Sequence, residues 1–281
     1  AAVTAPYPNL LTIHGIPHLS NFAQKVSRFS RSRIVEITGN RCLQTARNLV
    51  IINPFVTEQL HLTPASHRLF SIPNPVAPQF FTAPTPAREP NLVLAIGWVD
   101  RLKAHDVFIR ALALLKRRGH TVRAMIVGAI PKSDYAAALQ QYVRTEQLAV
   151  EFIGFIPPEQ VADLLRRCTV LVHPSRHENA PMSICEAMTC RTPVIAARVG
   201  GVPYLIRDGV SGLLFQSGNA SELADKLQDL LENPATRDRL GAAAHLAAAQ
   251  AHHPDVVAKL TRAAYATVLQ SNSPKETHVR D

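Results

Sequence analysis

The chain is short of cysteine, of long apolar runs and, in its first third, of acidic residues. Each shortage closes off a class of protein. Four cysteines in 281 residues (Cys42, Cys168, Cys185 and Cys190) cannot staple a disulfide scaffold, and no two have CxxC spacing. Cys185 and Cys190 would need two further ligands at a recognisable spacing to hold zinc, and the sequence has none. Reduced cysteines in a cytoplasmic protein are the expectation. No stretch reaches eighteen uninterrupted apolar residues, which excludes a membrane-spanning helix. The opening AAVTAPYPNLLTIHG has neither the basic start nor the apolar run of a secretory signal. Zinc-finger spacing, a basic zipper and RNA-binding aromatic motifs are absent as well, so nucleic acid is not an expected partner.

Residues 1–87 carry seven Lys/Arg against only Glu36 and Glu58, in a chain of formal net charge +9. Such a surface attracts phosphorylated ligands or an anionic membrane, which would place the protein peripherally on that membrane. The same KVSRFSRSR stretch also reads as a solvated helix face.

What is present is regular from about residue 88 onward. NLVLAIG, VRAMIVG, VEFIG, TVLVHP, PVIAARVGG and GLLF are short apolar runs with strand character. Between them lie HDVFIRALALLKRRG, YAAALQQYVRTEQL and PPEQVADLLRRC, whose apolar residues recur at helical spacing. Asn219 and Glu222 form a capping-box pair ahead of a helix over 220–232. Nearly continuous apolar strands alternating with helices predict a parallel sheet covered on both faces. Earlier in the chain NLLTIHG, RIVEITG, NLVIINP and LFSIPNPV supply about four strands, roughly half of a doubly wound domain. The Pro-rich 73–90 reads as a stiff linker. The expected organisation is a partial N-terminal Rossmann-like lobe (1–87), a C-terminal Rossmann-like domain (88–250), a C-terminal helix (251–270) and a tail (271–281).

Ligands of open parallel sheets sit beyond the carboxyl ends of the strands. There the sequence places Gly97 followed by Arg101 and Lys103, then HPSRHENAPMSICEAM (173–188), then Gly200-Gly201. Pro181 suits the first position of a helix over about 181–189. The free N–H groups of Met182 and Ser183 would make that helix start an anion seat, flanked by Glu178 and Glu186. Carboxylates repel phosphate, so hydroxyl groups of a sugar and a ribose are their fitting partners, with Lys103 and Arg101 balancing charge.

HPSRHENAPMSICEAMTCRTPVIAARVGGVPYLIRDGVSGLLF resembles the C-terminal signature of retaining glycosyltransferases of the GT-B fold, family four in particular. The resemblance extends more weakly to His14-Gly15, to IPNPV and to GWVDRLKAHDVFIRA. It implies an α/β fold of two Rossmann-like doubly wound lobes, the N-terminal one incomplete. It implies transfer of a sugar, with retention, from a nucleoside-diphosphate-sugar donor to a glycan, lipid or small-molecule acceptor, with no metal required. Glu178 would face the donor sugar, Glu186 the ribose, and Met182 and Ser183 the diphosphate. Lys103 would neutralise the leaving group and His14 would lie near the transferred sugar. Gly97, Pro181, Asn179 and Arg101 complete the implied donor site. Trp98 stands where such proteins carry Arg, Tyr204 where they carry Glu, and Cys190-Arg191 where a helix-ending glycine is common. The short first lobe also raises the alternative of a non-catalytic nucleotide-sugar-binding subunit, or a split enzyme completed by another N-terminal polypeptide.

Overall fold

The computed structural model describes residues 9–14, 42–43, 45–82 and 87–271. The expected strand RIVEITG, the basic KVSRFSRSR stretch and the tail from residue 272 lie outside them. The chain divides into two compact units, residues 1–74 with 255–281 and residues 75–254.

The first unit is built on three parallel strands, β1 (Leu11–Ile13), β2 (Asn48–Ile51) and β3 (Arg68–Ser71), in that order. Thr12 pairs with Val50, and Val50 with Phe70. β2 is largely apolar, and the strand period of two sends its side chains to opposite faces. Leu49 and Ile51 pack with Ile13, Val56 and Leu62 on one side, the side of α1 (Pro54–Gln59). Val50 packs with Ile72, Val257 and Ala264 on the other. Those last two residues belong to α10 (Pro254–Gln270), so the C-terminal helix returns to cover the first sheet.

The second unit has six parallel strands in the order β6-β5-β4-β7-β8-β9. These are β4 (Leu92–Ile96), β5 (Arg123–Val127), β6 (Val150–Gly154), β7 (Val170–His173), β8 (Val194–Ala197) and β9 (Leu213–Phe215). This is the doubly wound order, with its reversal between β4 and β7. Apart from the edge strand β6, where Glu151 is exposed, the strand interiors are apolar at successive positions because both faces are covered. Val93 and Ala95 meet Phe108 and Leu112 of α3 (His105–Arg117) and Leu223 and Leu227 of α8 (Ala220–Glu232). Leu92 and Leu94 meet Leu165 of α5 (Pro158–Arg167) and Ile184 of α6 (Met182–Thr189). α4 (Asp134–Thr145) joins the first face, and the short α7 (Val202–Leu205) adds Val202 to the second. Full burial of a side chain such as Phe108 contributes about 2–3 kcal/mol.

Three local expectations need correction, and one helix had none. The Pro-rich stretch is no free spacer where it is described. Val76 and Phe80, the latter on α2 (Gln79–Thr82), are buried in the second unit, and the Val76 N–H donates to the His252 carbonyl at 2.9 Å. Pro181 stands one position before α6 with ψ 115°, as the cap residue rather than the first helical one. The capping box of α8 closes on one side only. Asn219 Oδ1 accepts the Glu222 N–H at 3.1 Å, but the Glu222 carboxylate accepts from the Gln216 N–H instead. Residues 234–252, unassigned from sequence, form α9 (Pro234–His252), with Leu240, Ala244 and Ala248 buried at a spacing of four.

Candidate active site

The order reversal of the second sheet leaves the carboxyl ends of β4 and β7 diverging, and the loops after them meet there. The Arg176 N–H donates to the Leu102 carbonyl at 2.8 Å. The Arg176 guanidinium donates to the Arg101 carbonyl at 3.1 Å and to Asp106 Oδ2 at 3.1 Å. Asp106, at the start of α3, also accepts from the Tyr135 hydroxyl at 2.8 Å. These bonds fix the β4–α3 loop against the β7–α6 loop.

Within this frame Lys103 turns inward. Its own N–H donates to Asp100 Oδ1 at 2.7 Å, and Ala104 behind it takes the left-handed conformation at φ 52°. Gly97 directly follows β4 against the Lys103 stem; a Cβ there would lie 3.2 Å from Lys103 Cγ and Cδ. The Lys103 ammonium donates to Glu178 Oε1 at 2.6 Å across 75 residues of sequence. Glu178 is 9% exposed. Its position depends on Gly200, at φ 49°, where any Cβ would collide with the Glu178 carbonyl oxygen. That carbonyl accepts the Gly201 N–H at 3.0 Å.

Burial opposes ionisation of Glu178 most strongly. The hydrogen bond from His173, the His173 charge and the Lys103 ammonium together outweigh it and hold the carboxyl at about 2. Glu178 is therefore a carboxylate at neutral pH, able to accept hydrogen bonds but not to act as an acid. Glu186, on α6, is partly buried with no compensating cation among the described residues, and loss of water pushes it up to about 7. The two carboxyls thus differ in protonation, and neither forms an acid–base couple with the other.

α6 begins between them. Pro181 provides no side-chain cap, while the Ile184 N–H is taken by the Pro181 carbonyl at 3.1 Å. The Met182 and Ser183 N–H groups head the helix with no preceding turn to accept them. A helix start of this kind, with Lys103 close to Glu178 on the loop before it, can seat an anion.

Arg101 is exposed, its guanidinium 5.5 Å from the centroid of the Tyr135 ring. Asn179 lies in the loop between Glu178 and Pro181 and is partly buried. His14 follows β1 in the first unit and is not among the residues gathered by the second. Trp98 is 64% exposed directly after Gly97. Sequence reasoning passed over His173, the buried last residue of β7, whose Nε2 lies 2.9 Å from Glu178 Oε1. It also passed over His105, buried at the start of α3 with Nδ1 unpartnered; burial, then the neighbouring His173 and Lys103, push its imidazole down to about 4.

The family profile described as "Glycosyl transferases group 1" matches residues 78–246. The chain belongs to the glycosyl transferases group 1 family. It is 36% identical over 160 residues to a D-inositol 3-phosphate glycosyltransferase of Thermobifida fusca, covering 54% of this chain and 37% of that protein. The chain thus spans less than half the length of the curated relatives it matches first. Among solved structures it is similar to the sucrose-phosphate synthase of Thermosynechococcus elongatus, with TM-score 0.82 and 24% identity. That similarity covers 95% of this chain and 69% of the synthase. Anabaena Alr3699/HepE in complex with UDP and glucose is similar at TM-score 0.73 and 23% identity, over 94% of this chain and 72% of its own. These likenesses show the fold, and they agree with the parallel α/β units expected of a group 1 glycosyl transferase.

Proposed function

We propose that the chain is a retaining glycosyltransferase that moves a hexose from a nucleoside-diphosphate sugar to a glycan, lipid or small-molecule acceptor. The observation that carries this reading is the Lys103–Glu178 pair, joined at 2.6 Å beside the uncapped start of α6 at the switch point of the sheet. In this reading the diphosphate sits on the Met182 and Ser183 N–H groups, and the Lys103 ammonium turns to it. Glu178 Oε2 accepts from hydroxyls of the donor sugar. Glu186, with its carboxyl held near neutrality, meets the ribose diol as acceptor or donor.

The bond between the anomeric carbon and the diphosphate oxygen breaks, with its electron pair leaving on the diphosphate. Lys103 and the helix N–H groups stabilise that developing charge. The acceptor hydroxyl bonds to the anomeric carbon from the same face, and its proton passes to the departing diphosphate. The ionised Glu178 favours the positive character that builds on the sugar ring. Arg101, stacked over Tyr135, takes no part in this account.

The HepE neighbour was solved with UDP and glucose, which makes UDP-glucose the first donor to try. Nucleoside diphosphate released from UDP-glucose, GDP-mannose and ADP-glucose by the 281-residue chain tests the reading. Release with one donor, lost in Glu178→Ala, supports it. Failure to bind or cleave any of the three overturns it.

A further inference from the structure

His173 ends β7 with its ring almost wholly enclosed, 1% exposed. Both of its nitrogens are engaged. Nε2 lies 2.9 Å from Glu178 Oε1 and 3.1 Å from Ser175 Oγ, and Nδ1 lies 3.3 Å from Ser183 Oγ. An ionised Glu178 can only accept, so Nε2 carries a proton and donates. Ser183 belongs to the first turn of α6, so the imidazole spans the gap between the carboxylate and the helix start. The charged and titratable groups around the ring are Glu178, Lys103 and His105.

Glu178 Oε1 accepts from two donors, Lys103 Nζ and His173 Nε2, whereas Oε2 accepts from no described residue. The proposed reaction demands the Lys103 ammonium for the diphosphate. Once it turns away, a carboxylate held by Lys103 alone would be free to rotate or follow it. The imidazole cannot follow, because it is the buried terminus of a central strand and is held at its far nitrogen.

We infer that His173 is a positioning residue that keeps the Glu178 carboxylate facing the donor sugar while Lys103 transfers to the diphosphate. This rests on the reading under Proposed function. It adds a residue that touches neither donor nor acceptor and acts through Glu178.

Two substitutions separate the two ends of the ring. In His173→Gln the amide nitrogen reaches the place of Nε2 and keeps the bond to Glu178. In His173→Asn the amide reaches only the place of Nδ1, so the bond to Ser183 survives and the bond to Glu178 is lost. Calorimetric titration of UDP, GDP and ADP, and of UDP-glucose, GDP-mannose and ADP-glucose, into each variant of the chain reads the difference. Turnover of the preferred donor is followed alongside.

The expected result is nucleoside diphosphate affinity within about threefold of wild type in both variants, because neither change removes the Met182 and Ser183 N–H groups or the Lys103 ammonium. Donor turnover should fall about tenfold or more in His173→Asn, the scale of one lost charge-assisted hydrogen bond, and be largely kept in His173→Gln. Equal turnover in His173→Asn and wild type, or equal losses in Asn and Gln, would overturn the inference. Should His173→Asn not fold, His173→Gln alone decides, since a turnover loss there with Oε1 still bonded contradicts the role. If the wild-type chain binds none of the nucleotides, the functional reading fails, and this inference with it.

Discussion

Glu186→Gln should make the free chain more stable above neutral pH and change it far less in mild acid. The Glu186 carboxyl is held at about 7 by loss of water, against an ordinary value of 4.5. The folded protein therefore retains a proton that the unfolded chain has lost between those two pH values. Stability falls as pH rises from 4.5 to about 7, then levels off with the full cost of a half-buried charge in place. At 1.36 kcal/mol per tenfold ratio that cost is about 3 kcal/mol, and partial exposure of the side chain reduces it to about 2 kcal/mol. Gln has the same shape and no charge, so the substitution removes the cost. Thermal or urea unfolding of wild type and variant at pH 5 and pH 8.5 reads it. A gain of about 2 kcal/mol corresponds to roughly 4–8 °C at the higher pH for a domain of this size, and about a quarter of that gain remains at pH 5. A difference independent of pH, or a loss of stability at pH 8.5, would refute the burial argument. The same variant should bind nucleoside diphosphate more weakly, since a destabilising carboxyl on the ligand face fits a role in binding.

The opposite sign applies to Glu178, whose carboxyl is lowered to about 2. Its stabilisation is complete above pH 4.5 and is lost as pH falls towards 2. Glu178→Gln should therefore destabilise the chain by about 2–3 kcal/mol at pH 7 in a urea titration, and by much less near pH 2.5. Arg191 follows α6 at φ 59°, a conformation that suits glycine. Arg191→Gly should raise the midpoint of thermal unfolding through a gain of about 0.5–1 kcal/mol, with nucleotide binding unchanged.

Much of the second unit was legible because most of its strands are apolar at successive positions and its helices carry apolar residues at helical spacing. The residues just beyond the carboxyl end of each strand also placed Lys103 and Glu178 at one site before any contact was known. Other features depended on facts no local pattern carries. α9 is so rich in alanine that its buried stripe of Leu240, Ala244 and Ala248 has almost no contrast with its other faces. The prolines of 73–82 pointed to a spacer, but Val76 and Phe80 among them are apolar enough to be drawn into the core. That α10 returns to the first sheet is a contact between Val257 and Val50, about 200 residues apart, without a local trace. His173 carries no local mark beyond ending an apolar strand. Its meaning came only from the side chains that meet its nitrogens. The guanidinium of Arg101 over the Tyr135 ring is likewise a contact that no local pattern carries.

The central claim is that the start of α6, with Lys103, seats the diphosphate of a nucleotide sugar. Calorimetric titration of UDP, GDP and ADP into the wild-type chain and Lys103→Ala tests it most directly. The account predicts saturable 1:1 binding of one of them to wild type, weakened about tenfold or more when the Lys103 charge is removed. Binding that is indifferent to Lys103, or no binding of any of the three, would contradict it.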